Sequence, residues 1–116
     1  MPGDEKTTVA ELRRLVADFV RRRDWEQFHD PKNLTMAIAT EAAELMEHFR
    51  WVANDASRDL MREADKRHAA AEELADILAF ILAFANTCSI DLSDALSAKM
   101  DKNAQKYPAD KYKGRY

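Results

Sequence analysis

Two acidic pairs dominate the chemistry this chain could do: Glu41-Ala42-Ala43-Glu44 and Glu73-Leu74-Ala75-Asp76. Each pair has its carboxylates at i and i+3. On a helix these positions are neighbours on one face, so each pair aims two carboxylates at one region of space. If the two helices pack antiparallel, the four acids meet. Like charges brought that close raise one another's pKa and oppose folding unless a cation joins them. A set of hard oxygen ligands suits Mg²⁺ or a similar ion. A ferritin-like di-iron centre would need Glu-x-x-His elements. Here Leu45 stands three residues before His48, and Asp65 three before His68. An all-oxygen Mg²⁺ site for handling phosphates is therefore the expected chemistry.

The elements that must position these acids read as helices. Val9, Leu12, Leu15, Val16, Phe19 and Val20 repeat at helical spacing. Thr7 or Thr8 can cap that first helix, with Glu11 in capping-box register to Thr8. It runs to Arg22 or Arg23. The cluster Arg21-Arg22-Arg23 is either a solvated C-terminal turn that suits the helix dipole or a phosphate-binding patch. Residues 24–33 read as a compact connector, since Pro31 keeps Asp30 from continuing a helix. Its Trp25, Phe28 and His29 form either a lid on the core or a pocket wall that stacks on a flat ligand.

A second helix is expected over 34–52, with the apolar stripe Leu34, Ile38, Ala42, Leu45, Phe49 and Val52. Residues 54–68 form a polar excursion with a possible short helix near Leu60 and Met61. The third helix, over 69–87, carries Leu74, Ile77, Leu78, Ile81 and Leu82 on one stripe and Phe80 and Phe84 on another. Asp76 is its sole charge after Leu74, so burial on most sides is expected. Asp91 or Ser93 caps a fourth helix over 92–106, with Leu96 and Met100 inward and Lys99, Asn103 and Tyr107 in a row. Pro108 stops it. The expected architecture is all-α, a four-helix bundle core with antiparallel second and third helices. It places a flexible tail at 1–7, one helical domain at 8–107 and a basic, aromatic tail at 108–116.

The totals agree with a single helical domain. The chain has 116 residues, 47% hydrophobic and 34% charged, with only two Gly and three Pro. A net charge of −3 gives no electrostatic case for nucleic acid. Cys88 is the only cysteine, so no intrachain disulfide can form, and its apolar surroundings suggest a buried, inert thiol. No apolar run approaches a membrane span, and the first residues hold no apolar signal core. A soluble cytoplasmic protein with no membrane partner is expected. The third helix carries more apolar surface than its neighbours can cover, so a homo-oligomer, dimer or tetramer, is expected too.

Four stretches carry a family resemblance: RDWEQFHDPKNL (23–34), EAAELMEHFRW (41–51), EELADIL (72–78) and KMDKNAQKYP (99–108). Together they resemble the all-α nucleoside triphosphate pyrophosphohydrolases of the MazG-like group, nearest to their dCTP pyrophosphatase branch, across residues 12–107. The resemblance implies metal ligands at Glu41, Glu44, Glu73 and Asp76, the acids already reached by spacing. It implies phosphate contacts at Lys99 and Asn103 with Tyr107 close by, and a base pocket at Trp25 and Trp51 with His29 in the same loop. Two positions depart from the pattern. Phe80 stands where the dCTP enzymes carry a Tyr one turn after the metal-binding Asp, and Val16 replaces a His on the first helix.

The expected function is Mg²⁺-dependent hydrolysis of a dCTP-like triphosphate to the monophosphate and pyrophosphate. Glu44 is the candidate general base and Lys99 the stabiliser of the leaving pyrophosphate, while Phe80 borders the substrate. Two alternatives stay open: a broad house-cleaning pyrophosphatase for modified nucleotides, and a non-catalytic helical module that binds a nucleotide or a partner protein.

Overall fold

A computed structural model describes residues 1–115 of the chain, and all its regular elements are helical. Tyr116, the end of the expected C-terminal tail, lies outside the described residues. Helix α1 (Val9–Arg22) begins where Thr8 Oγ1 accepts the Glu11 amide at 3.1 Å, and it ends in Arg21 and Arg22. Two of the three clustered arginines are engaged on α1 itself. Arg21 pairs with Asp18 at 2.9 Å, and Arg23 lies over the Phe19 ring at 3.7 Å. Asp24 then takes a left-handed backbone (φ 52°), a conformation Asp tolerates better than most residues.

The connector is shorter than expected. A 3₁₀ turn forms over Glu26–Phe28, and α2 (Pro31–Glu47) starts at Pro31 rather than Leu34. Proline fits the first helical position, where its missing N–H has no intrahelical partner to lose. Helix α2 also stops earlier than expected, and residues 48–52 form turns. The polar excursion holds α3 (Asn54–Leu60), which begins well before Leu60. Helix α4 (Ala64–Cys88) gains a polar first turn, supported by His68 Nε2 against Glu72 at 2.8 Å. Charged residues at i and i+4 sustain such a turn without an apolar stripe.

Helix α4 is the central element, with α2 and α1 packed along it. Val20, Leu34, Ala70, Leu82, Ala83 and Ala85 are buried between them. The alanines let neighbouring backbones approach. Arg13 of α1 meets Asn86 and Ile90, while Val20 shares a cavity wall with Asp76 and Ala83, so α1 and α4 run antiparallel. At Ser89 the backbone turns left-handed (φ 53°), and α5 (Leu92–Lys106) departs from α4 at 104°. Asp91 caps α5, accepting the Asp94 amide at 2.9 Å.

This bend overturns one expectation. Leu96 and Met100 do not face inward; they are 64% and 55% exposed. Within one chain, helix α4 keeps Leu74 59% exposed and Leu78 outward, the surplus for which a second subunit was the expected cover. Both stripes were read from apolar periodicity alone, which marks a face without saying that its cover lies in the same chain. Cys88 is half-buried. The C-terminal segment holds a short helix, α6 (Ala109–Tyr112), whose Tyr112 packs edge-on against Tyr107. No single described helix is long and apolar enough to cross a membrane.

Candidate metal and nucleotide site

Glu41 on α2 and Glu73 and Asp76 on α4 converge, and one carboxylate oxygen from each lies within 4.8 Å of the others. The helix packing compels this. Leu34 anchors α2 in the core, and the i, i+3 spacing on α4 turns Glu73 and Asp76 to the same side. Glu41 and Glu73 are half-buried, whereas Glu44 and Asp76 are exposed at the rim. Glu41 Oε2 and Glu73 Oε2 are buried without any hydrogen-bond partner. A buried, unpartnered carboxylate oxygen is costly, so each such atom requires a role.

The electrostatics agree. The Glu41 carboxyl is pushed up to about 7, first by the hydrogen bond it shares with Glu44, then by burial and by repulsion from Glu44, Asp76 and Glu73. Glu73 is raised as well, chiefly by burial and then by its hydrogen bond with Glu44. A divalent cation fits this group. Opposite oxygens on one octahedral Mg²⁺ stand about 4.2 Å apart, so small side-chain shifts close the cluster on an ion. The donor set is all carboxylate, as hard cations require.

Beside Asp76 opens a cavity of about 460 Å³ between α1 and α4. Trp25, His29 and Phe80 line it together with Val16, Val20 and Ala83. Trp25 stands edge-on to Phe19, ring centroids 5.8 Å apart. Of the α1 wall, the resemblance marks Val16 alone, while Leu15, Phe19 and Val20 read in the sequence only as an apolar helix stripe. The signal was present: i, i+4 spacing puts Leu15 with Phe19, and Val16 with Val20, on one strip of helix.

The remaining candidates lie apart from this cavity. Trp51 sits in the turn after α2 and is 85% exposed, with Arg50 near its ring. Lys99 and Tyr107 are exposed and Asn103 is half-buried, all on α5 or its cap, and α5 does not pack extensively on the helices that carry the acids. One chain thus unites Glu41, Glu73 and Asp76 with Glu44, and sets Trp25, His29 and Phe80 beside them. It does not bring Lys99, Asn103, Tyr107 or Trp51 to the same cavity.

Residues 36–115 match the MazG-like family, a segment that includes all four acids and α5. The chain belongs to the MazG-like family. Among relatives of this MazG-like chain is rat dCTP pyrophosphatase 1, 41% identical over 107 residues, covering 92% of this chain and 63% of that protein. Human dCTP pyrophosphatase 1 is 42% identical over 102 residues, covering 88% and 60%. The MazG-like chain therefore spans about three fifths of the length of these curated relatives. A solved structure, a pyrophosphatase from Archaeoglobus fulgidus, superposes with a TM-score of 0.82 at 31% identity, covering 93% of this chain and 99% of that one. The family expected from the four sequence stretches is the one found.

Proposed function

We propose that this MazG-like chain is a Mg²⁺-dependent nucleoside triphosphate pyrophosphohydrolase that converts a dCTP-like substrate to the monophosphate and pyrophosphate. The observation that carries this reading is the meeting of Glu41, Glu73 and Asp76, with two orphaned carboxylate oxygens, at the mouth of a cavity walled by Trp25. Relatives named for dCTP pyrophosphatase activity, and a structural neighbour titled a pyrophosphatase, support the same chemistry.

Glu41, Glu73, Asp76 and Glu44 would hold the cation. When bound, Mg²⁺ supplies charge screening for the triphosphate and lowers the pKa of a coordinated water. Glu44, exposed at the rim, would take the proton from a water attacking the α phosphorus in line. The bond between the α phosphorus and the bridging oxygen breaks, and pyrophosphate departs. Trp25 and Phe80 confine the base, and His29 lies at its edge.

Lys99 and Asn103 would meet the leaving phosphates once α5 is docked, and we assign that docking to a second copy of the chain. The four-helix bundle is then completed by association. Two observations support this. The radius of gyration is 17.1 Å, against roughly 13 Å for a compact chain of this length. The accessible surface is 9486 Å², against roughly 6,500 Å² for a compact monomer of this mass.

Substitution tests the assignment. Glu41→Gln or Asp76→Asn should abolish Mg²⁺-dependent pyrophosphate release from dCTP while the far-UV circular dichroism of the helices is preserved. Full turnover in either variant would remove these residues from the site.

A further inference from the structure

The cavity beside Asp76 also bears on how a base is discriminated, given the reading that the adjacent acids hold the triphosphate. Asp76 belongs to the cation cluster. Apart from it, the only lining side chains with a nitrogen or oxygen atom among the described residues are Trp25 and His29. Leu15, Val16, Phe19 and Phe80 make the surrounding wall apolar. Main-chain groups offer little more. The α1 and α4 amides are bonded within their helices, the Trp25 N–H donates to Val20 O at 3.1 Å, and the His29 N–H donates to Glu26 O at 3.1 Å.

Cytosine and uracil differ at one edge. Cytosine presents an amino donor beside a bare ring nitrogen, and uracil a carbonyl beside an N–H. Telling them apart requires a fixed donor or a fixed acceptor against that edge. The Trp25 indole is a donor only, and both rings carry the O2 carbonyl that would accept from it. A neutral imidazole has one donor and one acceptor nitrogen. Among the described residues no hydrogen bond holds either ring nitrogen of His29. Its tautomer is therefore free to serve either edge. Among the described residues, no α1 or α4 side chain in this wall other than Asp76 carries a polar atom, Val16 and Phe80 included.

We propose that this pocket selects a pyrimidine ring by shape and stacking and does not read the cytosine edge against the uracil edge, because the α1 and α4 side chains that wall it are apolar. The magnitude follows from the type of wall. An apolar pocket separates near-isosteric groups by no more than about 10²-fold, whereas a site built to hydrogen-bond one group rejects the other by about 10⁴–10⁵-fold.

The test is kcat/KM for dCTP and dUTP with Mg²⁺ on the whole chain, beside calorimetric titration with dCMP and dUMP. The expected ratios, in turnover and in binding, lie within a hundredfold. A larger preference for either base in either measurement overturns the proposal. Val16→His and Phe80→Tyr each introduce a polar group into the wall, and at least one should widen the dCTP to dUTP ratio by about tenfold. Unchanged ratios in both variants, with helical content retained, would also overturn it. If no triphosphate is turned over, the pyrophosphohydrolase reading fails, and the monophosphate titrations still decide the pocket. Comparable affinities for dCMP and dUMP uphold the proposal, and binding of neither sinks it.

Discussion

Glu41 shows how one carboxyl can couple folding, pH and cation binding. Its ordinary pKa of 4.5 rises to about 7 in the folded chain, and that of Glu73 rises too. A raised acid pKa means that the folded state binds the proton more tightly than the unfolded chain does. The resulting stability is fully present below the unfolded value near 4.5 and is lost as pH rises through about 7. A bound divalent cation takes over the proton's role, and it does so only where the carboxylates are ionised. Without divalent ions, the melting temperature should therefore fall between pH 5 and pH 8 more steeply in the native chain than in Glu41→Gln. Added Mg²⁺ should raise it more at pH 8 than at pH 5. Thermal unfolding followed by circular dichroism across that range measures both slopes. Equal slopes in the native chain and the variant would mean that Glu41 is not held among the other acids.

At the scale of the elements, the site depends on α1 being fixed against the far end of α4. Arg13 does this. Its guanidinium donates to Asn86 Oδ1 at 2.9 Å, to Ile90 O at 2.7 Å and to Ala85 O at 3.0 Å, and Asn86 Nδ2 returns a bond to Arg13 O at 3.1 Å. Ala85 lies in the last turn of α4 and Ile90 just beyond it, at the negative pole of the helix dipole, where a cation is favoured. Arg13→Ala leaves Asn86 Oδ1 and the Ile90 carbonyl without the guanidinium, and is expected to cost about 1–3 kcal/mol in urea unfolding. Arg13→Lys should recover little, because one ammonium cannot reproduce the planar fork. Full stability in Arg13→Ala would show that the clamp is dispensable. None of this was legible in the sequence, where Arg13 is one more cation on a polar face and its partner lies 73 residues away. What was legible is local: the Thr8 and Asp91 caps, the apolar stripes and the i, i+3 acids, all set by helical period. Pro31 was misplaced because Asp-Pro can end a helix or begin one, and the anchoring of Leu34 in the core decides between them. The polar turn Ala64–His68 was missed because a solvated helical turn needs no apolar residue.

For the whole molecule, the apolar surface left uncovered by one chain is the central fact. Leu74, Leu78, Leu96 and Met100 lie on the outer faces of α4 and α5. The accessible surface of 9486 Å² exceeds that of a compact monomer by about 3,000 Å² per chain, about 6,000 Å² over two copies, which reaches the upper end of obligate homodimer interfaces. A second copy accounts for three things together: the expanded radius, the bare stripe on α5 and the distance of that helix from the acids. Sedimentation velocity at micromolar concentration should therefore find at least a dimer. Leu96→Glu places a charge on the α5 stripe, and burying it unpaired is strongly unfavourable, so this variant should sediment as a smaller species than the native chain. Because Lys99 and Asn103 share that helix, pyrophosphate release should fall with the association state, while calorimetric Mg²⁺ binding at Glu41, Glu73 and Asp76 should persist. A native chain that sediments as a monomer, or a Leu96→Glu variant that stays associated, would mean that α5 is not the contact between copies.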